Sequence, residues 1–209
     1  MDKRFWAIIG IIVVAFVGFM IFQGGDDETK GGVASKPTSN ITGKTDAKVT
    51  LQEWGDFQCP FCAQYYPIVE QVKEKYKDQI AFQFSHLPLT QIHPNAYAAA
   101  RAAEAAGNQG KFWEMYDLLY QNQQTWSAET DAAPTFKGYA GQLKLDTAKF
   151  NKDFASSAIN AKVNADKAAF KKLKIQESTP VFLLNGKQIK PTSVDEFSKL
   201  IDEQLKKEQ

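Results

Sequence analysis

The apolar residues of this chain switch between strand and helix periods in a particular order, and that order leaves few folds open. Residues 49–54 form a short run with β-branched and aromatic members that Gly55-Asp56 ends, which predicts a strand. From Cys62 the positions Tyr65, Tyr66, Val69, Val72 and Tyr76 recur at helical spacing, with Pro60 near the first turn, where a missing N–H breaks no helical bond. Pro67 falls inside this helix and is expected to bend it, because its ring removes a backbone hydrogen bond and crowds the preceding turn. Residues 80–87 alternate as a second strand, with Ile80, Phe82 and Phe84 on one face.

Residues 94–173 read as helical almost throughout. An Ala-rich stretch over 95–106 closes at Gly107, and Phe112, Met115, Tyr116 and Leu119 form the next stripe. Phe136, Tyr139 and Leu143, then Phe150 and Phe154, then Val163 and Phe170 predict three more short helices. Strands then resume: 181–184 and 187–190 flank Asn185-Gly186, a favoured tight-turn pair because both residues tolerate positive φ. Ser193 and Glu196 make a capping-box pair ahead of Phe197, Leu200, Ile201 and Leu205, a final amphipathic helix. The resulting order, β, α, β, helical block, β-hairpin, α, belongs to the α/β class with a helical insertion at about 94–173.

Ahead of this domain, residues 5–22 form an uninterrupted apolar run of 18 residues, near the lower end of the roughly 17–25 that span a bilayer as a helix. Lys3 and Arg4 precede the run and Asp26, Asp27 and Glu28 follow it, so the positive-inside bias puts the N-terminus in the cytoplasm and the rest outside. The run exceeds a usual signal-peptide core, and Gln23-Gly24-Gly25-Asp26 lacks a clear small-x-small cleavage site, so residues 1–22 are expected to stay as a single-pass membrane anchor. Residues 23–47, rich in Gly, Lys, Thr, Ser and Asp, read as a flexible tether, and 48–207 as the folded domain. With 25 Lys and Arg against 24 Asp and Glu, the chain offers no electrostatic reason to expect nucleic acid as a partner.

Both cysteines of the chain lie in Cys59-Pro60-Phe61-Cys62. Such a pair can be a redox couple or half of a metal site. The only other strong neutral-pH ligands, His86 and His93, have no usual zinc spacing relative to it, and both read more simply as hydrogen-bonded loop residues. Where a strand turns into a helix, the first sulfur meets the free N–H groups and positive dipole end of that helix, which stabilises a thiolate. Cys59 is therefore expected to attack, and Cys62, one turn further in, to resolve the mixed disulfide.

On these residues the chain resembles the thioredoxin superfamily, and more closely its DsbA-like branch of thiol-disulfide oxidoreductases with a helical insertion. The resemblance rests on Cys59-Pro60-Phe61-Cys62, on Pro67, and on Thr179-Pro180 just before residues 181–184. It implies a thioredoxin-like fold, here preceded by one N-terminal transmembrane helix, and a cis peptide at Pro180 facing the cysteines, with Pro60, Phe61, Thr179 and Pro180 lining the substrate groove. It also implies that Glu53, six residues before Cys59, is a buried acid that helps move the proton of Cys62; alternation of side chains should point Trp54 and Phe57 elsewhere. The implied activity is disulfide transfer to reduced exported proteins, without metal or organic cofactor, followed by reoxidation by a membrane thiol-oxidising partner. A reductase or isomerase served by a reducing partner stays open within the same chemistry, and a metal-binding or docking module outside it. Phe61 stands where the most oxidising members carry His and cannot donate a hydrogen bond, so a milder oxidant is expected.

Overall fold

The computed structural model describes residues 36–208. The expected anchor, residues 1–22, and residues 23–35 of the expected tether lie outside the described residues. Among those described, no helix is long and apolar enough to cross a membrane.

Five strands make one mixed sheet in the order β1-β3-β2-β4-β5. They are β1 (Asn40–Gly43), β2 (Thr50–Gly55), β3 (Ala81–His86), β4 (Val181–Leu184) and β5 (Lys187–Ile189). β2 runs parallel to β3, the connection being helix α1 (Pro60–Tyr76), while β1 lies antiparallel to β3, β4 to β2 and β5 to β4. Between β3 and β4 come α2 (Ala96–Gly107), α3 (Phe112–Gln121), α4 (Gln123–Trp126), α5 (Ala133–Gln142), α6 (Thr147–Phe154) and α7 (Ser157–Lys172), and α8 (Val194–Lys207) closes the domain. Six helices thus lie between β3 and β4, the short α4 among them.

The tether is shorter than its composition suggested. Asn40–Gly43 pairs with β3 from Asn40 opposite Phe84 to Gly43 opposite Ala81. Side chains of the insertion hold the segment from the other side: Asp166 accepts from the backbone N–H and hydroxyl of Thr38 at 2.6 and 2.5 Å, and Glu104 from Asn40 Nδ2 at 2.7 Å. Polar residues are ordered here because distant carboxylates satisfy them, not because they bury apolar area.

Alternation divides the side chains of the sheet between two cores. Leu51, Phe82, Phe84, Phe182 and Leu184 face the larger one, shared with Val69 and Val72 of α1, Phe197 and Ile201 of α8, and Phe112, Met115 and Tyr116 of α3. Trp54, Val181 and Leu183 face the other way onto Phe170 of α7 and Leu87. Helix α1 runs through Pro67 without interruption. In the hairpin, Asn185 and Gly186 adopt φ of 46° and 79°, as the tight turn requires. The cap of α8 departs from the reciprocal box: Ser193 Oγ accepts from Glu196 N at 3.3 Å, but the Glu196 carboxylate reaches one residue further back, to Thr192 N at 2.7 Å.

Gly55 ends β2 under the ring of Phe84, and a Cβ there would stand 2.4 Å from Phe84 Cε2. That ring cannot retreat, being fully buried and stacked on Phe57 at 5.0 Å. Gly55→Ala is therefore expected to destabilise the domain by about 1–3 kcal/mol through overpacking, measurable as a lower midpoint in chemical denaturation.

Candidate active site

Cys59 is the N-cap residue of α1, with φ −68° and ψ 124°, and Pro60 opens the helix. This is local chemistry. Proline fits the first helical position, and a residue with extended backbone before it leaves its own side chain beside the unpaired N–H groups of the first turn. Cys59 is 4% exposed, Cys62 is fully buried, and Phe61 between them projects into solvent at 62% exposure. Both cysteines are free thiols, so the geometry is that of the reduced protein.

The two thiols are tuned in opposite directions. The Cys62 thiol, donating to the Cys59 sulfur, does most to lower Cys59 from 9.0 to about 6; burial opposes this, and the Thr179 hydroxyl and the backbone N–H groups of Cys62 and Phe61 add to the lowering. Thr179 Oγ1 is buried without a hydrogen-bond partner, so its downward effect on Cys59 acts beyond bonding range. Burial pushes Cys62 well above 9.0, and the neighbouring Cys59 and Glu53 raise it further.

The loop before β4 closes the site. The Thr179–Pro180 peptide is cis, and Cys59 Sγ lies 3.5 Å from the Thr179 carbonyl oxygen. Beside it, Phe61, Tyr65, Thr179, Pro180 and Phe182 line part of an open groove of about 560 Å³. Cys59, Cys62, Phe61, Thr179 and Pro180 thus come together although 120 residues separate Cys59 from Thr179. Pro60 serves in the helix start and is not among the groove-lining residues.

Glu53 lies on β2 with 1% exposure. Burial raises its carboxyl from 4.5 to about 8 against the pull of Lys73. Its Oε2 and the nearby Tyr116 hydroxyl both lack hydrogen-bond partners, so the downward effect of the phenol acts beyond bonding range. Trp54 points to the opposite core, as alternation requires, but Phe57 does not: the turn after Gly55 breaks the period and returns its ring to 5.0 Å from Tyr120 and 5.7 Å from Tyr116 on the Glu53 side.

Lys73 had no signal in the sequence. On α1 its Nζ sits 4.5 Å from the centre of the Trp113 ring and 4.9 Å from that of Tyr116, and pairs with Glu70 at 2.7 Å. It is the cation that acts most strongly on Glu53. Trp113 therefore belongs to the setting of this charge, and Trp126 is core, its Nε1 donating to Leu119 O at 2.7 Å. His86 is not a loop residue; it ends β3, 1% exposed, with Nε2 3.0 Å from Glu104. His93 does lie in a loop, bonded to Asp56.

A family model described as thioredoxin matches residues 35–203. The chain is 32% identical over 208 residues to the probable disulfide bond formation protein D of Bacillus cereus, a match covering 97% of this chain and 94% of that protein. It also matches curated Na(+)/H(+) antiporters NhaA of Salinispora species, of whose length it spans 22%. Among solved structures, oxidised BdbD from Bacillus subtilis superposes with a TM-score of 0.71 at 25% identity, covering 83% of this chain and 98% of that one. Wolbachia pipientis alpha-DsbA1 shares the fold, with a TM-score of 0.72 at 20% identity, covering 84% of this chain and 94% of that one. With the family model matching most of its length and the Bacillus cereus protein aligned almost end to end, the chain belongs to the thioredoxin family, alongside disulfide bond formation protein D.

Proposed function

We propose that this protein works outside the cytoplasm, held at the membrane by residues 5–22, and introduces disulfides into reduced exported proteins. The observation that carries the reading is the opposite tuning of the two thiols, Cys59 near 6 and Cys62 above 9.0. A substrate thiolate attacks Cys59 Sγ of the Cys59–Cys62 disulfide. The S–S bond breaks, and its electron pair leaves on Cys62, which takes a proton because its thiol form is favoured. A second substrate thiolate attacks the substrate sulfur of the mixed disulfide and expels Cys59, a good leaving group because its thiolate is stable. The substrate loses two electrons and two protons; one proton stays on Cys62 and the other goes to solvent. Glu53, still mostly protonated near neutral pH, exchanges the Cys62 proton in both directions. Phe61, Thr179 and Pro180 frame the bound peptide, Pro60 sets the helix start, and a membrane thiol-oxidising partner reverses the reaction to restore the disulfide.

Linkage supports the oxidising direction. Cys59 is depressed in the folded, reduced protein, so its contribution to that form is complete above 9.0, shrinks as pH falls toward about 6 and is absent below it. Cys62 stays protonated at neutral pH and adds nothing there. Favouring the dithiol makes the disulfide the stronger oxidant. Trapping the thiols in cells with an alkylating reagent is expected to find the pair mostly oxidised; a mostly reduced pair would assign the protein to reduction or isomerisation instead. Phe61 adds no donor to the thiolate, so equilibration with glutathione should show a weaker oxidant than branch members with His in its place.

A further inference from the structure

Asp56 is a fully buried carboxylate that the exchange chemistry does not use. Its Oδ1 accepts from Gln58 N at 2.7 Å, and its Oδ2 accepts from Leu89 N at 2.9 Å and faces His93 Nδ1 at 2.6 Å. A carboxylate only accepts, so Nδ1 carries the proton of that bond. The main chain of the same residue meets both cysteines. The Asp56 carbonyl accepts from Cys59 N at 3.1 Å, and its N–H acts on the Cys62 sulfur. Around this hub Gln58 Oε1 accepts from Asn95 N at 2.7 Å, so two residues of the cysteine loop, Asp56 and Gln58, are tied to the 87–95 segment.

We propose that Asp56, held by His93, is a positioning residue for the dithiol: its carboxylate fixes the loop that sets Cys59 against the first turn of α1. Charge alone would have the opposite effect, since a nearby anion disfavours a thiolate. The carboxylate is not among the leading influences on Cys59, whereas the backbone N–H groups of Phe61 and Cys62 are, and their placement depends on the loop. The inference rests on the exchange reading only for its significance. Cys59 ionisation can be titrated with no substrate present, so a native protein inactive in exchange would remove that reading and leave this one to be decided by the titration.

The test follows thiolate absorbance of the reduced protein against pH, beside thermal unfolding, for Asp56→Asn, His93→Leu and His93→Asn. Asp56→Asn puts an NH2 group where two donors now converge. It is expected to raise the Cys59 midpoint by about one unit, an approximately tenfold loss of thiolate over thiol at a fixed pH between the two midpoints. A lowered midpoint would mean that only the charge of Asp56 reaches Cys59, and an unchanged midpoint with lower thermal stability would mean a purely structural role; either result overturns the proposal. If Asp56→Asn does not fold, the histidine variants decide. His93→Leu should raise the midpoint in the same direction and His93→Asn, which keeps an N–H near the Nδ1 position, should bring it back toward the native value. No shift in the leucine variant, or equal shifts in both, overturns the proposal.

Discussion

Cys59→Ser is expected to reduce disulfide transfer to a reduced substrate to the uncatalysed background, a loss on the order of a thousandfold or more. The reason is twofold. A lone Cys62 cannot hold an intramolecular disulfide to donate, and a serine hydroxyl does not ionise at a helix entrance near neutral pH as a thiol does. Cys62→Ser behaves differently. It keeps the reactive Cys59, which attacks a disulfide-bearing partner such as oxidised glutathione, but lacks the internal thiol that would displace that partner, so mixed disulfides should accumulate, visible as adducts on non-reducing gels. The assay is oxidative refolding of a reduced protein, with the variant's unfolding curve as a control. Unchanged refolding activity in Cys59→Ser would show that the fold serves for docking and not for turnover. In the native reduced protein the thiolate signal should titrate near pH 6 and fade below it; a midpoint near 9 would remove the basis of the proposed activity.

Glu53→Gln is expected to make the protein more stable and slower. Burial lifts the Glu53 carboxyl from 4.5 in the unfolded chain to about 8 in the fold. The folded state therefore binds more protons than the unfolded one between these values, and its stability falls as pH rises through them. Below 4.5 the carboxyl is protonated in both states and the variant gains nothing; above 8 the native protein carries the full cost of a buried anion. At about 1.4 kcal/mol for each pKa unit, the gain above that point is on the order of 3–5 kcal/mol. Urea denaturation at acidic and at alkaline pH should show curves that nearly coincide in acid and separate in base. Equal separation at both would mean that packing, not ionisation, distinguishes the variants. Exchange by the same variant should slow by about a hundredfold where proton transfer to Cys62 limits the rate. The acid thus weakens the fold at the place where it serves the proposed chemistry.

Much of this arrangement could be read before any coordinates. The strand at 49–54, the helix from Pro60, the helical block and the Asn185-Gly186 hairpin all rest on periods and turn residues that act within a few positions of one another. The opposed character of Cys59 and Cys62 was also legible, since a helix start places one sulfur by the free N–H groups and the other a turn inside. Features made by partners distant in the chain were not. β1 reads as tether because nothing local in Asn40–Gly43 announces a strand; Phe84 and Phe82 supply the pairing edge, and Glu104 and Asp166 hold the flank.

The sequence by itself determined the order of elements from β2 onward, the short α4 apart, the helix-capping place of Cys59 and the turn at Asn185-Gly186, because backbone preference and hydrophobic period are properties of neighbouring residues. Only the tertiary structure decided that Lys73 stands guard over Glu53 through Trp113 and Tyr116, that Thr179 meets Cys59, and that Asp56 and His93 lock the cysteine loop. Each of those contacts joins polar groups far apart in the chain, and a buried charge or hydrogen bond has meaning only once the fold has removed water from around it.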